Sequence, residues 1–230
     1  MGEKKRKEAA TKSWKKILFV IVAVVFVFVM VISSTGTRWI TGIAPIKAGD
    51  QVVVGYTIYN GAGTPLITTN QQLVKQTLEK NQGIMYAKSL TLVANKTATQ
   101  AITPIDVYVP TNGGSWEQFG MYNQELDAMS DNVVGMRTGD TKKVMLTYTD
   151  SMSHLFTAED LASVHLNMSS LSVGDSLSMG ISDNPNASAT NSTANTYLRF
   201  GDVTRKTHNG VVVDFGFPYI EMTVESITKS

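Results

Sequence analysis

The chain contains no cysteine, which excludes a disulfide scaffold, a thiolate metal site and a lipid anchor on Cys. It has three histidines, His154, His165 and His208, and their separations do not match the spacing of metal ligands. No glycine-rich phosphate loop and no nucleophile elbow is visible, so the sequence calls for no cofactor and no metal. Charge is missing from residues 17 to 37, whereas residues 1 to 16 hold seven Lys/Arg against two Glu. The rest of the 230-residue chain carries 13 basic and 17 acidic residues, and a net negative remainder gives no support for nucleic-acid binding.

What is present begins with that uncharged stretch. Every residue from Ile17 to Ile32 is apolar, and twenty-one uncharged residues at about 1.5 Å each match the roughly 30 Å of a bilayer core. Trp14 and Trp39 flank it as interfacial aromatics do. A cleaved signal peptide is the rival, since Ser33-Ser34-Thr35-Gly36 offers small residues. The length of the apolar run favours an uncleaved anchor over residues 17–40. The basic cluster of residues 1–16 then lies in the cytoplasm and the remainder outside, with membrane lipid as a partner. Sequons at Asn95, Asn167, Asn186 and Asn191 all follow the run, so N-glycosylation there agrees with this topology. The polar stretch Ser182 to Asn195, which holds the last two, reads as an exposed loop.

Beyond residue 40 three Gly-Asp turns lead into β-rich runs: Gly49-Asp50, Gly139-Asp140 and Gly174-Asp175. Strands are expected at Gln51 to Tyr59, at Ser89 to Val93 or Ile105 to Val109, at Tyr197 to Val203, at Gly210 to Phe215 and at Ile220 to Ile227. In the last, Ile220, Met222 and Val224 alternate with Glu221, Thr223 and Glu225, the pattern of a half-buried strand. Helices are expected at Asn70 to Lys80 and Asn123 to Met136, where Leu126, Met129, Val133 and Met136 fall at helical spacing, and a capped first turn at Thr157. Short helices on antiparallel strands give an α+β class behind a transmembrane helix.

The order of these elements resembles the FKBP family of prolyl isomerases, in its SlyD-like branch with an inserted flap domain. Ile46 to Tyr56 is similar to the opening strand that ends in a pocket Tyr, and Gly63 to Asn70 to the element carrying Phe-Asp. Leu126 to Tyr148, centred on Val134-Gly-Met-Arg-Thr-Gly-Asp140, resembles the short helix, GMxxGE turn and strand. Leu171 to Asp175 and Gly210 to Phe215 resemble the insert's strands, and Ile220 to Ile227 the closing strand.

The resemblance implies an antiparallel half-barrel around a short helix, divided into 41–152 and 213–230, with a small β-rich insert over 153–212. It also implies a pocket built from Tyr56, Ile67, Thr68, Val107, Leu126, Met129, Met152 and Ile220. Ile67 and Thr68 stand where Phe and Asp are expected, and Met152 lies near the place of a second Tyr. The apolar character therefore survives while most rings and the carboxylate are lost.

Such a pocket needs neither nucleophile nor metal, because it lowers a rotational barrier of about 18–20 kcal/mol by excluding water from the twisted amide. The implied function is extracytoplasmic folding assistance, binding unfolded or proline-containing polypeptides with isomerase activity weak or lost. The alternative is a non-enzymatic, pilin-like surface or filament subunit that self-assembles. It too would have a basic N-terminus, an apolar helix and a sequon-bearing β domain.

Overall fold

The computed structural model describes residues 20–30, 44–110, 113–149, 151–183 and 194–230. The chain divides into two units, Met1–Ala44 and Pro45–Ser230. In the first, residues 20–30 form a helix (α1) whose large apolar side chains are all exposed. Eleven helical residues cover about 16 Å, half a bilayer core. No helix among the described residues is long and apolar enough to cross a membrane, which corrects the expected transmembrane helix. Residues 17–19 and 31–40 of that expected segment lie outside the described residues.

The second unit is mostly β, which corrects the α+β class. Its first part runs β1 (Gln51–Tyr59), β2 (Pro65–Thr68), α2 (Gln71–Glu79), β3 (Met85–Ala87), β4 (Leu90–Val93), β5 (Ile102–Val109), β6 (Ser115–Tyr122), α3 (Asn123–Asn132) and β7 (Thr141–Met145). Next come β8 (Ser153–Thr157), α4 (Ala158–Ser163), β9 (Ser176–Ser182), β10 (Thr196–Lys206) and β11 (Gly210–Asp214), before the closing β12 (Tyr219–Thr228). The helices are too short to form a layer. The strands join one curled sheet in the order β7-β12-β1-β2-β3-β5-β6-β10-β11-β8, with β4 added on β1 and β9 on β10.

Local chemistry explains the joints. At each Gly-Asp turn the glycine takes a positive φ (91° at Gly49, 87° at Gly139, 96° at Gly174), which a Cβ would oppose. The following Asp folds back on the turn, and its carboxylate accepts the N–H of Lys47, Arg137 or Ser172 at 2.7–2.8 Å. Asn70 caps α2 by accepting from Gln72 and Leu73 N–H, and Thr157 with Asp160 forms a reciprocal cap on α4. α3 stops at Asn132, short of the expected Met136. Gly135 turns at φ 84°, its N–H bonds to Ile46 C=O, and Met136 C=O accepts from Ile46 N–H.

Both alternatives for the middle strand are realised, as β4 and β5. β12 has the expected alternation, with Ile220, Met222 and Val224 inside. Two hydrophobic cores result. The larger collects the inner faces of the half-barrel strands with Leu126, Met129 and Val133. The smaller joins Leu161, Leu171, Leu177, Val203 and Val211 of the expected insert to Val213 and Phe215 just beyond its boundary. The insert is also continuous with the half-barrel, because β10 pairs in parallel with β6 at Leu198 and Phe119.

Candidate functional site: a filled cradle, a buried arginine and a cleft in the insert

Seven of the eight expected pocket residues, Tyr56, Ile67, Thr68, Val107, Leu126, Met129 and Ile220, are buried. Six of them pack into one core, so in this state their apolar side chains are spent on one another rather than presented to a peptide. Ile67 and Ile58 face each other across β1 and β2. Thr68 joins its hydroxyl to that of Thr57 at 2.7 Å and accepts the N–H of Asn70 at 3.1 Å, shaping the start of α2. The Tyr56 hydroxyl is buried without a hydrogen-bond partner, and burial pushes its pKa up. Met152 stands apart, half-buried against the insert's core. Of the sequon asparagines, Asn95 and Asn167 are exposed, whereas Asn186 and Asn191 lie outside the described residues.

Between the half-barrel and the insert lies a charge cluster that the sequence reading passed over. Arg199 on β10 and Glu125 in the first turn of α3 are both fully buried. The guanidinium meets the carboxylate in a fork: Nη2 donates to Oε1, and Nη1 to Oε2 at 3.0 Å. Nη1 also donates to Gly120 C=O at 2.9 Å, and Nη2 and Nε to Phe215 C=O at 2.7 and 3.2 Å. Glu125 accepts two further hydrogen bonds, from Tyr148 Oη at 2.7 Å and Tyr122 N–H at 3.0 Å. The guanidinium carbon Cζ lies over three aromatic rings, 4.1 Å from the centroid of Phe217, 4.5 Å from that of Tyr122 and 5.3 Å from that of Phe119.

Every polar atom of the pair is thereby engaged, the condition under which a buried ion pair is tolerated. Burial opposes the charge on Arg199, but the adjacent Glu125 more than offsets it and its pKa is raised. Burial chiefly, with the charge of Glu125, pushes the Tyr148 phenol up. A signal existed in the sequence. Tyr197, Arg199, Gly201 and Val203 occupy one phase of β10, and all four are buried, which puts a cation on the apolar face.

Beside the filled core, Tyr56 borders a cleft of about 490 Å³ together with Thr69, Leu73 and Glu221. A cleft of about 600 Å³ lies between β8, α4 and β9, lined by Leu155, Phe156, Val164, Leu166 and Met179 with Ser178 and Asp160 at its margin. Leu155 and Val164 are each more than half exposed there. Among the described residues β8 is the last strand of the sheet order, paired with β11 alone, and β9 pairs with β10. A smaller cleft of about 380 Å³, lined by Leu66, Ile84, Met85, Val109 and Phe200, separates β2, β3 and β5 from β10. The largest of these clefts offers apolar surface next to β8, the last strand of the sheet order among the described residues, which suits extended chain. No protein-family model matches the sequence, and a search of curated proteins finds no significant match.

Proposed function

We propose that the protein is an FKBP-like folding factor that binds unfolded or proline-containing segments at the cleft of its insert, with prolyl isomerase activity weak or lost. The carrying observation is the cleft itself: exposed Leu155 and Val164 beside β8, which among the described residues is paired along one edge, to β11. An extended segment can add backbone hydrogen bonds to such a strand while its alternate side chains enter the apolar cleft. The order of elements supports the family reading. A curled sheet wraps α3, the Val134–Asp140 turn joins it to β7, and the insert leaves between β7 and β12. Loss of turnover is supported by the filled cradle and by Thr68, whose hydroxyl is already engaged. Work outside a membrane and contact with its lipid belong to the same proposal, supported by the exposed sequons Asn95 and Asn167 and by the apolar α1.

The test is binding of a fluorescently labelled, permanently unfolded polypeptide to the full chain, read by anisotropy. Leu155→Asp with Val164→Asp should weaken it at least about tenfold, since removing even one such apolar contact is worth about 1.5–3 kcal/mol. Unchanged affinity in the double variant would remove the cleft as the seat.

A further inference from the structure

The Arg199–Glu125 cluster has the construction of a ligand site rather than of an ordinary surface ion pair. The Glu125 carboxylate that meets the cation is itself held by Tyr148 Oη and Tyr122 N–H. Two backbone carbonyls, of Gly120 and Phe215, point at the same position, and three aromatic rings surround it. Those groups supply an acceptor for each side of a planar, forked cation, together with faces for it to stack on. An ammonium could satisfy neither the fork nor the stacking as fully. The cage is not borrowed from one element: Glu125 belongs to α3, Gly120 to β6, and Phe217 to the chain leading into β12. Arg199 reaches it from β10, next to Leu198, which pairs with Phe119 of β6.

We propose that the face of the half-barrel under the insert is a guanidinium-binding site, and that the chain occupies it with its own Arg199. The ligand class is the arginyl side chain of an extended strand, and β10 is that strand held in cis. While Arg199 is seated, arginines of other polypeptides are excluded. The proposal stands apart from the peptide seat between β8 and β9, and neither result decides the other.

The experiment is chemical rescue of the full chain carrying Arg199→Ala, followed by thermal unfolding with millimolar methylguanidinium chloride. Methylammonium chloride at equal ionic strength is the control. At roughly ten times its Kd, methylguanidinium should raise the Tm of the variant by about 3–6 °C. It should leave the wild-type chain unmoved, because the cage is filled, and methylammonium should do much less. Adding Glu125→Gln to the variant should abolish the rise. Equal effects of the two ions, or a rise that persists without Glu125, would overturn the proposal. So would an Arg199→Ala chain that stays unfolded with and without methylguanidinium, since a preformed cage lets the ion restore the fold.

Discussion

Tyr56 and Tyr148 each bury a phenol, with opposite consequences. The Tyr148 hydroxyl donates to Glu125 at 2.7 Å and accepts the N–H of Phe217 at 2.9 Å, while that of Tyr56 meets nothing. An unsatisfied buried hydroxyl costs about 1–3 kcal/mol, and removing one member of a buried charged network costs a similar amount in the other direction. Tyr56→Phe should therefore raise stability by about 1 kcal/mol, and Tyr148→Phe should lower it by about 2 kcal/mol or more, both read as shifts in urea midpoint at constant slope. If Tyr56→Phe destabilises instead, its hydroxyl has a partner in solution. Helical spacing made the burial of Met129 legible, whereas Tyr56 and Ile67 were expected in a pocket from the family resemblance and are buried in the core. Residue identity did not reveal the direction of a hydroxyl, so Thr68 was expected in the pocket and is bonded to Thr57 and Asn70. Arg199 went unread for the opposite reason: polarity suggested a surface, and only the phase it shares with Tyr197 and Val203 argued otherwise.

β10 is the element on which the insert depends. It pairs with β9 along Thr196–Asp202, with β11 from Asp202 to Lys206 and with β6 at Leu198. Gly201 allows this crowding. A Cβ there would meet Val213 Cγ1 at 2.5 Å and the Phe215 ring at 2.8 Å, both inside the smaller core. Gly201→Ala should cost about 1–3 kcal/mol by overpacking. Amide exchange in β9, β10 and β11 should quicken more than in β1 and β12, measured by hydrogen exchange with mass spectrometry; uniform acceleration over both regions would contradict this division. The alternation in β12 and the cap on α2 could be read from sequence because they are local. The pairing of β10 with β6 could not, since a strand's pattern gives its faces but not its neighbour. β6 itself was missed, because its first four residues are exposed and break the alternation.

Across the whole β unit, sequence order sufficed for a curled sheet around a short helix, while strand dominance and the absence of a crossing helix among the described residues came only from the structure. One long-range contact ties the last strand to the turn before the first. Lys229 Nζ donates to Asp50 Oδ2 and to Pro45 C=O, each at 2.8 Å. Asp50 also accepts the N–H groups of Lys47 and Ser230. The hydrogen bond from Lys229, then that from Lys47 N–H, holds the Asp50 carboxyl below its usual range. A carboxylate with a depressed pKa stabilises the fold fully above its unfolded value of about 3.9, and that contribution disappears as pH falls through the depressed value. Lys229→Met should lower Tm at pH 7 by about 2–4 °C, a modest loss because the ammonium is partly exposed and screened by solvent. The gap between variant and wild type should stay constant from neutral pH down to about pH 5 and close progressively below about pH 4. Adding salt should narrow it at pH 7 by screening the same pair. Thermal melts of both chains over that pH range would measure it. A gap that persists undiminished at acid pH would mean that Lys229 stabilises through its stem packing rather than through Asp50.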